Sequence, residues 1–115
     1  MIRGTTPQCQ IKYIDAEQQI IDLHGFYIYI TIEDREHNEV TIEGTRITIE
    51  EDLSLTFTLT QDETLSLHGG LLSVQLRAID KYGNAIGSRI KNCHMEDILY
   101  EGEVSYKYAD TNTEG

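Results

Sequence analysis

The feature that most constrains this chain is an alternation of apolar and polar residues that recurs along most of its length. In "LSLTFTL", residues 53–59, the odd-numbered positions are apolar and the even-numbered positions carry hydroxyl groups. In "FYIYITIED", residues 26–34, the even-numbered positions up to 32 are apolar, whereas the other face begins with Tyr27 and Tyr29. Because successive side chains of a strand point to opposite faces, a period of two predicts β-strands that are buried on one side.

The remaining segments favour an all-β fold. Shorter alternating stretches are "QCQIKYI", "NEVTIEG", "TRITIE", "LSVQLRAID", "AIGSRIKNCHM" and "EVSYKY". Turn signals separate several of them, most clearly the "DKYGN" stretch at 80–84, where Gly83 and Asn84 tolerate positive φ. Neither βαβ spacing nor a long helical period is present. The pattern predicts an antiparallel, immunoglobulin-like β-sandwich of seven or eight strands.

The shared phase of the strands also predicts the core. Its expected members are apolar residues on the inward faces of neighbouring strands. They are Phe26, Ile28, Ile30, Leu53, Leu55, Phe57, Leu59, Leu72, Val74 and Leu76.

One stretch, "LTQDETLSLHGG", does not follow the strand pattern. Thr60 followed three residues later by Glu63 is a capping box, which predicts one short helical turn near 60–66. We expect this turn to carry the chain from one sheet to the other, with Leu65 and Leu67 closing the end of the core. A catalytic role for Asp62 or Glu63 is the alternative, but no nucleophile or second acid of different pKa lies near them in sequence.

Size and charge limit the classes of partner. The 115 residues suit one domain, expected at 1–108, followed by a flexible C-terminal tail at 109–115. Twenty acidic residues against nine basic ones give a net charge of −11, which disfavours binding to nucleic acid or to a membrane. No apolar run approaches the ~18 residues of a membrane span, and "MIRGTTPQCQ" has no signal-peptide pattern. We therefore expect synthesis in a cytoplasm without a signal peptide.

No motif indicates an enzyme, a cofactor or a metal. The four histidines are scattered, the acidic runs lack a calcium-loop spacing, and neither a nucleophile elbow nor a phosphate-binding loop is present. Cys9 and Cys93 are expected to be reduced thiols; a disulfide would require the first and last strands to be neighbours.

The clearest candidate for an interface is a pair of tyrosines. Tyr27 and Tyr29 lie in register on the face that the core does not need, and tyrosine is enriched at protein interfaces. Tyr106 and Tyr108, on an expected edge strand, are a second candidate. The alternative is that a loop at 16–23, or the two C-terminal tyrosines, covers the Tyr27 pair.

Three stretches carry a resemblance to a known group. The opening "MIRGTTP", the middle "LTQDETLSLHGG" with "LLSVQLRAIDKYGNAIGS", and the closing "MEDILYEGEV" resemble small proteins encoded in phages and prophages of Firmicutes. The chain also resembles the immunoglobulin-like N-terminal domain of phage baseplate upper proteins. This resemblance implies a virion part, in the tail or baseplate, that contacts other virion proteins or itself and has no catalytic residues. A carbohydrate adhesin or a host-factor inhibitor outside the virion remains the alternative.

Overall fold

The structure is a computed structural model that describes residues 1–88 and, for the backbone alone, residues 91–95. Eight strands lie in these ranges: β1 (Gln8–Ile11), β2 (Phe26–Glu33), β3 (Glu39–Glu43), β4 (Thr48–Ile49), β5 (Leu55–Thr58), β6 (Gly70–Asp80), β7 (Ala85–Gly87) and β8 (Lys91–Met95). A 3-10 turn (Gly44–Arg46) and one helix, α1 (Gln61–Ser66), complete the described elements. Three predictions lie outside the described residues: the edge strand with Tyr106 and Tyr108, the domain limit at 108, and the tail at 109–115.

The strands form two antiparallel sheets. One has the order β1-β5-β4; the other has the order β3-β2-β6-β7, with β8 also pairing with β6. β7 pairs along the C-terminal part of β6 and β8 along its N-terminal part, so the two lie on the same side of that long strand. The prediction of an all-β antiparallel sandwich of seven or eight strands is confirmed.

Both sheets contribute to one hydrophobic core, as expected for a sandwich. The buried residues are Leu23, Ile28, Ile30, Ile32, Val40, Ile42, Ile47, Leu55, Phe57, Leu59, Leu67, Leu72, Leu76 and Ala78. Seven of the predicted core residues are among them: Ile28, Ile30, Leu55, Phe57, Leu59, Leu72 and Leu76. Phe26 and Val74 are only half-buried and pack against this core.

Four hairpin turns share one geometry. The same two hydrogen bonds occur in the segments 15–19, 34–38, 50–54 and 80–84. The N–H group of the first residue donates to the carbonyl of the fifth residue, and the N–H group of the fourth residue donates to the carbonyl of the first. The fourth residue always has positive φ: 67° at Gln18, 69° at His37, 70° at Leu53 and 87° at Gly83. This is the three-residue hairpin loop, in which a type I turn is followed by a left-handed residue.

The shared turn explains why the prediction for Leu53 was wrong. Leu53 is the left-handed fourth residue of the turn 50–54 and is half-buried, so it cannot belong to the strand, which begins at Leu55. Ser54 is buried instead; its hydroxyl donates to Asp52 at 2.5 Å and accepts from the Gln10 amide at 2.8 Å. A buried hydroxyl satisfied on both sides is tolerated where the alternation predicts a solvent-facing residue.

The helical turn forms as predicted. The Thr60 hydroxyl accepts from the Glu63 N–H at 3.1 Å, and the Glu63 carboxylate accepts from the Thr60 N–H at 2.9 Å. Leu67 is fully buried, but Leu65 is only half-buried, so one leucine rather than two closes this end of the core. In the part of the chain that the structure describes, no helix is long and apolar enough to cross a membrane.

Candidate interaction surface

The outer face of the larger sheet carries an exposed apolar patch. Tyr27 and Tyr29 project from β2 and are 46% and 37% exposed, and Ile79, opposite Tyr27 on β6, is 39% exposed. We call these three residues the tyrosine patch. Their strand neighbours Ile28 and Ile30 point the other way, into the core. The segment 16–23 leaves the two tyrosines accessible, so the alternative that this loop covers them is not supported. The other residues expected to cover them, Tyr106 and Tyr108, lie outside the described residues.

Tyr27 is held in place by several contacts. Its hydroxyl donates to the Glu43 carboxylate at 3.1 Å, and its ring meets that of Tyr29 edge-to-face at 5.2 Å between centroids. The phenol also lies over Gly44, where a Cβ atom would come within 2.7 Å of the Tyr27 oxygen. The hydrogen bond to Glu43 raises the pKa of Tyr27 above its ordinary value. A side chain fixed in this way loses little entropy when a partner covers it.

The neighbours of the patch differ in charge on its two sides. Tyr29 lies directly opposite Glu43 on β3 and opposite Arg77 on β6. Further along the face, Glu33 lies opposite Glu39. The carboxylates therefore collect along β3 and the end of β2, whereas the side toward β7 has the arginine.

Two of the stretches behind the phage resemblance contact each other. Arg3, in "MIRGTTP", is buried and donates to the carbonyls of Leu67 and Leu65 at 2.6 and 2.8 Å, at the end of α1. Thr64 accepts from the Gly4 N–H at 2.9 Å, and its own hydroxyl donates to a backbone carbonyl of the same N-terminal segment. Arginine is a good partner for the orphan carbonyls of a helix end. Arg3 and Thr64, which belong to the stretches that carry the resemblance, therefore have a structural role.

Glu63 also has a structural role. Its carboxylate forms a two-pronged ion pair with Arg46, with N–O distances of 2.5 and 2.7 Å, and Arg46 also donates to the Thr58 carbonyl at 3.1 Å. The hydrogen bond from Arg46 lowers the pKa of Glu63. A carboxylate kept ionised and occupied in this way is poorly suited to general acid–base catalysis.

A buried carboxylate joins the β2–β3 turn to the chain after α1. The Asp34 side chain is 1% exposed and accepts from the backbone N–H groups of Glu36, Asn38 and His68, at 2.8, 2.9 and 2.8 Å. The Asn38 amide adds a bond at 2.9 Å, and the His68 ring lies 3.0 Å from Glu36. Burial alone would raise the pKa of Asp34, but these hydrogen bonds outweigh it and lower the pKa to about 2.

A groove of about 950 Å³ lies between β1 with the residues after it and the β6–β7 side of the other sheet. Its lining is mostly apolar and includes Ile11, Val74 and Leu76; the Tyr13 hydroxyl donates to the Gly87 carbonyl at 3.2 Å on one side of it. The charged residues that line it are Lys12 and Asp15 as far as the structure describes them. Such a lining provides no pair of carboxylates and no serine with an adjacent base.

Metal ligands do not converge in residues 1–88, where no three His, Cys, Asp or Glu side chains are placed to hold one ion. His24 pairs with Asp22, and His37 pairs with Glu33, at separate exposed positions. β1 and β8, which carry the two cysteines, belong to different sheets, and the side chain of Cys93 is outside the described residues. The expectations of no metal, no cofactor and reduced thiols stay predictions.

Sequence reasoning found part of the patch and missed the rest. It placed Tyr27 and Tyr29 together, because residues two apart share a face. It missed Ile79 and Glu43, because only the strand register brings them alongside, and a single sequence does not reveal register. Neither a family model nor a curated sequence matches this chain.

Proposed function

We propose that this chain is a non-enzymatic structural module of a phage or prophage virion, in the tail or baseplate, which acts through protein–protein contact at the tyrosine patch. The observation that supports the proposal most directly is the exposure of Tyr27, Tyr29 and Ile79 on a face that the core does not need. Contiguous exposed apolar residues are typical of interaction sites. The resemblance of the three sequence stretches to phage proteins suggests the virion as the setting.

The contacts of the polar residues favour this role over catalysis. Glu63 and Asp34, the most conspicuous carboxylates, are each occupied by hydrogen bonds that hold the fold together. The groove beside β1 has an apolar lining that suits packing or binding more than bond cleavage.

A binding module outside the virion, such as a carbohydrate adhesin or an inhibitor of a host factor, is the second candidate, because exposed tyrosines also bind sugars. The geometry of the pair favours this less. The two rings lie at 66° to each other and so do not form a flat platform, and the Tyr27 hydroxyl is already bonded to Glu43.

The test uses a strain that carries the gene. The gene is deleted and replaced by a tagged copy, particles are induced and purified, and their proteins are measured by mass spectrometry. The variant Tyr27→Ser/Tyr29→Ser is compared with Tyr82→Ser, which removes a tyrosine that is 78% exposed in the β6–β7 turn, outside the patch. Ile79→Arg is a second patch variant that leaves the Tyr27 contacts in place. Circular dichroism checks that each variant is folded.

We expect the unmodified chain and Tyr82→Ser in the particles, and loss of both patch variants from them. Absence of the unmodified chain from purified particles would refute the virion role. Normal incorporation of folded Ile79→Arg and of the double variant would refute the patch as the interface. Binding of the chain to a glycan array, lost in the double variant, would favour the second candidate.

A further inference from the structure

We infer that the tyrosine patch binds a protein surface of apolar side chains bordered by arginine, and not a second copy of this chain. This inference rests on the proposed function, since it names the chemistry of the partner for the same site. It follows from the charges around the patch and from the way in which Tyr27 and Tyr29 are held.

The charges on this face are mainly negative. Along β2, β3, β6 and β7, the charged residues that share the outward phase of Tyr29 are three acids, Glu33, Glu39 and Glu43, and one base, Arg77. Three negative charges and one positive charge leave the face with a net charge of −2, on a chain whose net charge is −11. A complementary partner therefore carries positive charge opposite β3.

The same charges disfavour a second copy. In a symmetric dimer built on this face, the acidic border of each copy would approach either its own counterpart or the side of the other copy that carries Arg77. The single Arg77 of each copy cannot neutralise three carboxylates. Like charges brought together at an interface oppose association. We therefore do not expect the chain to dimerise through this surface.

Arginine fits the patch better than lysine does. Tyr29 and Glu43 are directly opposite each other on neighbouring strands, which places an aromatic ring beside a carboxylate. A guanidinium group can stack on the ring while it donates to the carboxylate, whereas the ammonium group of lysine is a compact point charge. Tyr27 is already fixed by Glu43 and Gly44, so an apolar partner side chain would meet a preformed surface at Tyr27 and Ile79.

The test uses the full chain labelled with nitrogen-15 and three synthetic peptides of equal length. The first peptide alternates arginine and leucine, the second has citrulline in place of arginine, and the third has glutamate there. Citrulline keeps the shape of arginine and removes the charge. Amide shifts locate binding and give the affinity at low and at high ionic strength, and light scattering gives the mass of the chain alone.

We expect the arginine peptide to shift the amides of β2 and β3 around Tyr29 and Glu43 and to bind about tenfold more tightly than the citrulline peptide, with the difference lost at high salt. The variant Glu39→Gln/Glu43→Gln should remove that preference. The matched control, Glu17→Gln/Glu51→Gln, removes two exposed acids outside this sheet and should leave the preference unchanged.

Equal affinity for the arginine and citrulline peptides would overturn the inference, and so would an equal loss of affinity in the control variant. A stable dimer that Ile79→Arg dissociates would overturn it in favour of a second copy. If the arginine preference maps to the patch while the chain is absent from purified particles, the virion role fails but the partner chemistry is supported. If the chain is incorporated but the peptide preference is absent, only the partner chemistry fails.

Discussion

The hydrogen bond from the His68 N–H to Asp34 should contribute measurably to stability, and Asp80 offers a control within the same molecule. Asp34 and Asp80 each begin one of the shared turns and accept from the backbone N–H groups of the second and fourth residues after them. Only Asp34 also accepts, at 2.8 Å, from a backbone group far away in sequence. Comparing the variants Asp34→Ala and Asp80→Ala therefore separates the contribution of the long-range bond to stability from that of the local turn bonds.

We expect Asp34→Ala to lower the free energy of unfolding by about 3 kcal/mol, because a bond to a charged acceptor is lost and a part-buried N–H is left without it. The lowered pKa of Asp34 gives a second, independent value for the stabilising free energy. Its fall from 3.8 to about 2 corresponds to about 2 kcal/mol for a side chain that is 1% exposed. Asp80→Ala should cost clearly less, because it removes only local bonds.

The pH dependence has a defined sign. Since the pKa of Asp34 is lowered by folding, the unfolded state binds the proton more readily, and this contribution to stability is complete above about pH 4. It is lost as the pH falls from 3.8 toward about 2. Urea unfolding, followed by circular dichroism at neutral pH and near pH 2, should show the cost of Asp34→Ala shrinking in acid. Equal costs for Asp34→Ala and Asp80→Ala, or a cost of Asp34→Ala that does not change with pH, would refute this reasoning.

Three further substitutions test the core, the patch and the turns by chemical denaturation. Phe57→Ala should cost about 3–5 kcal/mol, since the ring is 5% exposed between the sheets, and a loss under about 1 kcal/mol would mean that the inward face is misassigned. Gly44→Ala should cost about 2 kcal/mol, because φ is +61° and the new methyl group would meet Tyr27; an unchanged midpoint and near-UV spectrum would contradict the contact. Gln18→Gly should stabilise by about 0.5 kcal/mol, since glycine relieves the left-handed conformation at φ 67°, and a lower midpoint would count against strain there.

The alternation of apolar and polar residues predicted which face of the sheet a strand residue occupies, and it failed where the backbone forms a turn. It placed Ile28 and Ile30 in the core and Tyr27 on the outer face, because a period of two is a property of the strand itself. It misplaced Leu53, since nothing in the apolar pattern distinguishes the last turn residue from the first strand residue. Of the four shared turns, a positive φ was expected only in the one with Gly83, because glycine marks a positive φ that glutamine, histidine and leucine do not.

Contacts that join distant segments were beyond sequence reasoning. The capping box was found because Thr60 and Glu63 are three residues apart, but nothing indicated that Arg46 would pair with the same carboxylate. The bond between Asp34 and the His68 N–H was missed for the same reason, as was the contact between Arg3 and the end of α1. Such contacts depend on how the sheets are arranged, and a single sequence carries little information about that arrangement.

The repeated turn also has a kinetic consequence. The turns at 34–38, 50–54 and 80–84 each close a hairpin between strands adjacent in sequence, so those pairings need only a short loop to close. The pairs Ile30–Leu76 and Cys9–Phe57 join strands far apart in sequence, and closing such long loops is entropically costly. We therefore expect the hairpins to form early and the pairing of β2 with β6 to limit the folding rate. Variants along that pairing should slow folding, whereas changes at Arg3, which donates hydrogen bonds to the end of α1, should mainly speed unfolding.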